Sequence, residues 1–377
     1  MQMVANTHQP SSSGWIVGRR YDAAFIFGGA AASLCAPLLV WWFPALLPPL
    51  FWVWLFLFDG THSWATYSRT YADPQFRAEN RRLLLGSLAL FALPLAAIYL
   101  WRVSDSMTPI YMFLFAAQWW SYYHIVRQHY GFASIYDRKA HSDRPSHLVT
   151  KWTLYLGLWT PYLYFLLTHP LNRRILAGSP AGGNAEAMAR GLGGVLEYAA
   201  PAFSAALLLG LIAYHGRRRR DTGEGFELSH AHVFVAACVL VYSVIFYVIA
   251  PLEPLLPGAR TPVQSFMITQ VMITLFHNVQ YHAIVWNYNR NRPRRARLNR
   301  DFVTYALAGM VFSLVYVNAA WHTTEYPSWR GGIPENLLVP VAFCVWWGLS
   351  LHHYYLDQKI WRVSKTKDLQ QHFGVTP

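Results

Sequence analysis

The sequence predicts an all-α protein, a polytopic membrane helical bundle of about ten transmembrane helices. Of its 377 residues, 54% are hydrophobic, 16% are aromatic and only 13% are charged, which is too apolar for a pair of soluble domains. Apolar segments long enough to cross a bilayer run almost from end to end, and the basic residues fall in the loops between them. We therefore expect one membrane domain rather than a soluble core.

Hydropathy and helix breakers divide the chain into ten predicted spans. Their bounds are about 22–43, 46–67, 83–101, 108–135, 150–168, 195–215, 230–251, 262–287, 302–321 and 336–356. Prolines between Pro44 and Pro49 interrupt an apolar run that is too long for one crossing, so the first two spans should form a tight hairpin. Residues 22–361 then form a single transmembrane domain, with cytoplasmic tails at 1–21 and 362–377.

Charge orients the predicted bundle. With the N-terminus in the cytoplasm, the inner loops hold most of the 31 lysines and arginines, as the positive-inside rule requires. The expected topology is N-in and C-in, in a multi-pass protein of a bacterial inner (cell) membrane. The formal net charge of +13 does not indicate nucleic acid, because the basic runs suit contact with anionic membrane lipids. Three widely spaced cysteines in apolar runs do not form a disulfide framework.

Seven histidines fall near the inner ends of four predicted spans, all of which run from outside to inside. These histidines should therefore lie at a similar depth in the cytoplasmic half of the bilayer. Histidine is poorly suited to lipid and well suited to a metal, so a shared metal site is favoured over separate hydrogen-bonded core histidines. The predicted metal ligands are His62, His124, His129, His277, His282, His352 and His353.

Two carboxylates accompany these histidines. Asp59 precedes His62 by three residues and Asp357 follows His353 by four, so each pair can share a helix face. Either carboxylate can bind a metal or accept the second N–H of a histidine ligand. We assign Asp357 to the metal ligands and Asp59 to the catalytic residues. Because Lys359 is close in sequence, an interfacial position for Asp357 is equally consistent.

The spacing of two histidine pairs carries a geometric constraint. His124 and His129, like His277 and His282, are five residues apart. On a regular helix such side chains point about 140° apart. The members of a pair therefore serve different ions, unless a π-bulge closes the angle.

Three other polar residues in the same stretches are candidate catalytic residues. The glutamines Gln128 and Gln280 can orient imidazoles or line a polar pocket, and a packing role suits them nearly as well. Arg127 would suit a substrate carboxylate or phosphate, or the buried Asp59.

The stretches YYHIVRQHYGF and LFHNVQYHAIVW, with a terminal HH, resemble the histidine boxes of integral-membrane non-haem di-iron enzymes. That superfamily includes fatty-acid desaturases and sterol, carotenoid and alkane hydroxylases. The resemblance implies that these six histidines bind iron, with His62 as a seventh ligand. The chain is more loosely similar to carotenoid-cleaving dioxygenases of the Brp/Blh type, which are polytopic and rely on scattered intramembrane histidines.

The expected function is that of a metal-dependent oxidoreductase. Imidazole and carboxylate ligands suit iron better than magnesium or calcium. One or two non-haem irons would act with O2 on a lipid or other hydrophobic substrate, by hydroxylation, desaturation or oxidative cleavage. No flavin or nicotinamide fingerprint is visible, so a cytoplasmic electron donor or reductase is an expected partner.

Three other classes of protein stay open at this point. Paired histidines on neighbouring membrane helices can hold haem b and transfer electrons. Histidines and aspartates can also relay protons or bind a cation in a transporter. A zinc-dependent hydrolase is less favoured, because the sequence has no HExxH motif.

Overall fold

The computed structural model describes residues 14–169, 172–173, 182–223, 228–250, 262–291, 297–299, 301–324 and 337–375. Within these ranges the chain forms twelve helices and no strand. In chain order they are α1 (Arg19–Trp42), α2 (Pro44–Arg69), α3 (Pro74–Glu79), α4 (Arg81–Ser104), α5 (Thr108–Lys139), α6 (Arg144–Thr168), α7 (Gly182–Thr222), α8 (His230–Ile249), α9 (Pro262–Arg290), α10 (Phe302–Thr324), α11 (Leu338–Ile360) and α12 (Lys367–Phe373).

The all-α helical bundle is confirmed, and a long helix lies at each of the ten predicted positions. Among the described residues, six helices are long and apolar enough to cross a membrane: α1, α2, α4, α7, α8 and α10. Of the four others, α5, α9 and α11 carry the paired histidines, and these polar residues lower their hydropathy. The presence of several such helices is consistent with an integral membrane protein. The number of crossings and their orientation stay predictions.

Local sequence explains where several helices begin. Asp73 caps α3, because its carboxylate accepts hydrogen bonds from the backbone N–H groups of Gln75 and Phe76. Asp143 caps α6 in the same way, through the N–H of Ser146. The break between α1 and α2 is a single non-helical residue, Phe43, directly before the proline-rich start of α2. The two helices are therefore joined by the tight connection that the prolines predict.

The interior of the bundle holds polar, aromatic and aliphatic side chains, and large apolar residues also cover its outside. Tyr122 and Tyr162 are buried and stack with ring centroids 3.7 Å apart. Large apolar residues instead face outward on several helices, including Trp42 on α1 and Val311 on α10. A water-soluble protein would leave few such contiguous apolar surfaces, whereas lipid tails solvate them.

The described parts of both predicted tails pack against the bundle. At the N-terminal side, the buried Asp22 carboxylate accepts hydrogen bonds from the N–H of Ile16 and the hydroxyl of Tyr136 on α5. At the C-terminal side, Leu369 and Phe373 of α12 are buried in the main hydrophobic core. Residues 1–13 and 376–377 lie outside the described part of the chain.

Candidate metal centre

Three histidines from three helices converge inside the bundle. His62 on α2, His124 on α5 and His277 on α9 each offer a ring nitrogen, and these atoms all lie within 4.8 Å of one another. All three side chains are buried. The ring centroids of His62 and His277 are 4.6 Å apart, and those of His124 and His277 are 4.9 Å apart. Buried imidazoles this close can hold a metal ion together.

Helix α11 adds a fourth imidazole and a carboxylate. The ring of His353 lies 5.2 Å from that of His62 and 5.3 Å from that of His124, centroid to centroid. One turn further along α11, Asp357 Oδ2 lies 3.6 Å from His124 Nε2. We call these five residues, His62, His124, His277, His353 and Asp357, the histidine cluster.

Several polar atoms of the histidine cluster are buried without a hydrogen-bond partner in the described structure. They are Nδ1 of His62, Nε2 of His124, Nδ1 of His277 and Oδ2 of Asp357. A buried polar group without a partner destabilises a fold by about 1–3 kcal/mol, so four at one point would be a large penalty. Metal coordination would satisfy Nε2 of His124 and Oδ2 of Asp357, and the donor set therefore fits a bound cation.

The Asp357 carboxylate is fixed from its other side. Its Oδ1 accepts hydrogen bonds from Thr66 Oγ1 at 2.6 Å and from Tyr281 Oη at 2.5 Å. Tyr281 Oη in turn accepts a hydrogen bond from the indole N–H of Trp361 at 3.2 Å. The Tyr281 ring packs on His62, with centroids 4.3 Å apart. One oxygen of Asp357 is thereby occupied, which leaves Oδ2 directed at the histidines.

His353 also has one ring nitrogen engaged. Ser63 Oγ on α2 lies 3.2 Å from its Nδ1. Such an outer contact fixes the orientation of an imidazole and selects the nitrogen that is available to a metal. The Tyr354 ring packs beside His124, with ring centroids 4.8 Å apart.

A π-helical turn at Leu55–Gly60 precedes His62 and sets the course of α2. Wider turns release backbone carbonyls from the regular ladder. Here Phe56 O accepts a hydrogen bond from Ser313 Oγ at 2.6 Å, and Leu57 O accepts one from Thr61 Oγ1 at 2.5 Å. A Cβ on Gly60 would lie 2.2 Å from Ser313 Oγ, so the contact of α2 with α10 requires glycine there.

The two predicted glutamines connect helices at the cluster. Gln128 Nε2 on α5 donates a hydrogen bond to the backbone carbonyl of His277 at 2.8 Å. Gln280 Nε2 on α9 donates one to Ile26 O on α1 at 2.7 Å. Both amides thus hold α9 against its neighbours.

The structure divides each H-x4-H pair, and His129 and His282, both predicted metal ligands, lie outside the histidine cluster. His124 joins the histidine cluster, whereas His129 donates from Nε2 to Tyr242 Oη at 2.8 Å, since that hydroxyl itself donates to Ile273 O. His277 joins the cluster as well. His282 Nε2 instead lies 3.3 Å from Phe58 O and 3.1 Å from Thr61 Oγ1.

His352 is the third predicted ligand that the structure does not bring into the histidine cluster. Its Nδ1 accepts a hydrogen bond from Tyr67 Oη at 2.9 Å, and its Nε2 donates to Ser87 Oγ at 2.8 Å. The Ser87 hydroxyl donates to Leu84 O, which fixes this direction. Both ring nitrogens of His352 therefore have protein partners, as expected for a structural histidine.

Asp59 and Arg127 have separate partners. Asp59 Oδ2 accepts a hydrogen bond from Tyr316 Oη on α10 at 2.9 Å. Arg127 is exposed, and its Nη1 donates to Tyr155 Oη at 2.8 Å. The arginine lines a cavity rather than contacting Asp59 in the described structure.

That cavity has a volume of about 200 Å³ and leads to the histidine cluster. Its walls include His124 and Asp357 together with Arg127, which lie along α5 and α11. A small ligand therefore has a route to two residues of the cluster.

Ser63 and Thr66 are not among the predicted site residues. A signal for both was present, because THSWATYS in α2 is a polar run at the end of a strongly apolar helix. No family model, curated protein or solved structure matches the chain.

Proposed function

We propose that the protein is an integral-membrane, metal-dependent oxidoreductase that uses non-haem iron and O2 on a hydrophobic, lipid-like substrate. The observation that carries this proposal is the buried group of His62, His124 and His277, with ring nitrogens within 4.8 Å of one another. Beside it, the Asp357 carboxylate has an oxygen without a hydrogen-bond partner in the described structure.

The nitrogen spacing supports a metal held by neighbouring ligands. His62 Nε2 and His277 Nε2 are 3.2 Å apart. Two metal–nitrogen bonds of about 2.1 Å, at an angle of about 90–110°, would separate their nitrogens by about 3.0–3.4 Å. The observed distance falls in that range, so one ion could bind both histidines with little movement of either helix.

The donor types favour iron over other common ions. Imidazoles with one carboxylate are typical of non-haem iron sites that keep open positions, whereas magnesium and calcium prefer oxygen ligands. Zinc uses similar ligands, but the described residues of the cluster include no glutamate to act as a general base. The similarity to histidine-box enzymes adds to this preference.

Haem b is the second candidate cofactor, and the distance between His62 Nε2 and His277 Nε2 argues against it. Two axial histidines on opposite faces of a haem would place their ligating nitrogens about 4.2 Å apart, twice a bond of about 2.1 Å. The 3.2 Å spacing of His62 and His277 is shorter. Their neighbours His124 and His353 also fill the space beside these rings with other imidazoles.

Bound iron would supply the redox chemistry, and the chain would control access and protons. Hydroxylation of a C–H bond by O2 needs two electrons and two protons and releases one water. The electrons would come from a cytoplasmic donor or reductase. A chain of hydrogen bonds runs from the Asp357 carboxylate through the Tyr281 hydroxyl to the indole N–H of Trp361. This chain can hold a proton near the ligands. The buried walls of the bundle would keep bulk water from the reacting atoms.

Metal analysis with Mössbauer or EPR spectroscopy on the purified, detergent-solubilised protein tests the proposal. We expect about one or two non-haem irons per chain and no Soret band. The His124→Ala and His277→Ala variants should lose iron, whereas His322→Ala on α10 should keep it. A Soret band would establish haem instead, and absence of any transition metal after iron-replete expression would refute the proposal.

A further inference from the structure

A second polar group lies next to the histidine cluster and takes one residue from each of four helices. It consists of Asp59 on α2, Asn278 on α9, Tyr316 on α10 and Ser350 on α11, and we call these residues the oxygen cluster. Tyr316 Oη donates to Asp59 Oδ2 at 2.9 Å and lies 3.1 Å from Ser350 Oγ. The Asn278 side chain lies beside the Asp59 carboxylate. Asn278, Tyr316 and Ser350 are at most 2% exposed.

The oxygen cluster and the histidine cluster share three helices. On each of these helices, a member of one cluster lies within three residues of a member of the other: Asp59 and His62 on α2, Asn278 and His277 on α9, and Ser350 and His353 on α11. Three residues of a helix rise about 4.5 Å. The two clusters therefore form neighbouring layers that the same helices hold.

The Asp59 carboxylate has neutral neighbours. Among the described residues, no ion pair involves Asp59, and the polar side chains beside it, Tyr316 and Asn278, carry no charge. A carboxylate within a membrane-spanning helix is costly in free energy unless a partner compensates its charge. The charge that balances Asp59 is therefore either a proton or a bound cation.

Asn278 favours the cation. Its Oδ1 is buried without a hydrogen-bond partner in the described structure. A proton on Asp59 can serve one acceptor, whereas a cation is bound by several oxygen atoms at once. A cation between Asp59 and Asn278 would therefore satisfy both side chains.

The chemistry of the donor atoms selects the kind of cation. All the donors are oxygens, which suit hard cations such as sodium, magnesium and calcium better than iron. Only the Asp59 carboxylate is charged, so a divalent ion would leave an unbalanced positive charge inside the bundle. A monovalent ion would make the group neutral. Trp346 O, which accepts from Ser350 Oγ at 2.9 Å, keeps a second lone pair that can serve as a further ligand.

We propose that the oxygen cluster is a sodium-binding site, with Asp59 as its charged ligand and Asn278, Tyr316 and Ser350 as neutral ligands. The site goes beyond the proposed function and does not depend on which metal the histidine cluster binds. Because α2, α9 and α11 carry members of both clusters, bound sodium would also fix the helices that hold most of the histidine cluster.

Equilibrium binding of radiolabelled sodium to the chelator-treated, detergent-solubilised protein tests this inference. We expect one saturable site per chain, with the sodium affinity weakened about tenfold or more in Asp59→Asn and in Asn278→Leu. The matched control Asp357→Asn should bind sodium as the unmodified protein does, because Asp357 belongs to the histidine cluster. No saturable binding, or equal binding in Asp59→Asn, would overturn the proposal. Since the assay uses metal-free protein, its outcome is separate from that of the proposed iron site.

Thermal unfolding distinguishes loss of the site from loss of the fold. Replacing N-methylglucamine chloride with sodium chloride at constant ionic strength should raise the unfolding midpoint of the unmodified, metal-free protein, because an ion that binds only the folded state stabilises it. Asp59→Asn should unfold cooperatively at the same midpoint in both salts. If Asp59 instead carries a proton, the midpoint of the unmodified protein will be the same in both salts, and the proposal is wrong.

Discussion

His62 Nε2 and His277 Nε2 lie 3.2 Å apart, although the two histidines are separated by 215 residues in the sequence. Two neutral imidazoles at this distance share one proton or one metal ion. Close by, Nε2 of His124 and Oδ2 of Asp357 are buried without a hydrogen-bond partner in the described structure, which favours the ion.

The two histidines of the α9 pair should respond differently to substitution. We expect His277→Ala to abolish metal retention, because it removes a member of the cluster. His282→Ala should retain most of the metal, since the His282 ring bonds to Phe58 O and Thr61 instead. Metal content per chain, measured by mass spectrometry after size-exclusion chromatography, gives the comparison. Equal loss in both variants would contradict the assignment.

The Asp357 carboxylate should contribute charge as well as geometry. In Asp357→Asn the side-chain oxygen can still accept from Thr66 and Tyr281, but the negative charge is lost. We expect about a 10–100-fold lower metal affinity, the range found for outer and weak ligands. The matched control is Asp59→Asn, whose partner is Tyr316 and whose metal affinity should stay within about twofold. Competition with a fluorescent chelator measures both values.

The glycine contact between α2 and α10 should be required for stability. Gly60→Ala places a methyl group against the Ser313 hydroxyl, so we expect a lower midpoint of thermal unfolding and partial loss of metal. In Gly60→Ala/Ser313→Gly the clashing side chain is removed, so the midpoint of thermal unfolding should return part of the way to that of the unmodified protein. Gly86→Ala on α4, where a new Cβ meets nothing within 4 Å, serves as the control. A midpoint in Gly60→Ala no lower than in Gly86→Ala would show that the contact is dispensable.

Docking of α12 should depend on pH through His372. Burial, with Arg69 nearby, lowers the pKa of His372 from 6.5 to about 4. Its Nε2 is paired with Asn287 Oδ1 at 3.0 Å. Since the undocked imidazole takes up a proton at higher pH than the docked one, docking should weaken as pH falls from about 6.5 to about 4 and then level off.

A spin label at Gln371→Cys, in a background without the native cysteines, would report this change. Its mobility should increase across that pH window. In His372→Gln, which keeps an amide able to donate to Asn287, the mobility should be nearly independent of pH. Constant label mobility between pH 7 and 4 in the labelled chain that keeps His372 would contradict the prediction.

Much of the fold could be predicted from the sequence, because long apolar segments bounded by prolines and charges leave few alternatives to helices. The depth argument selected seven histidines, among them His62, His124, His277 and His353, which the structure brings together. It could not exclude His352, whose neighbours Tyr67 and Ser87 come from elsewhere in the chain. Polarity at a helix end does not reveal which face of the helix meets which partner.

The remaining details depend on contacts that have no local signal. The angle of five residues on a helix allows two arrangements of the H-x4-H pairs, separate ions or a π-bulge, and the structure separates the members of each pair. Helices α5 and α9 are regular through the pairs, and the π-helical turn near the cluster lies at Leu55–Gly60 on α2. Pairing of Asp59 with Tyr316 likewise depends on how α10 packs against α2.

The distribution of the ligands along the chain has a consequence for biosynthesis. Thr66 and Asp357, which bond across the site, are 291 residues apart, so α2 enters the membrane long before α11 has been translated. A partly synthesised chain would hold at most His62, His124 and His277 in place. The carboxylate arrives last, and secure capture of a metal ion would therefore follow insertion of the final long helix. Stable metal binding would then occur only in chains whose helices have all been inserted.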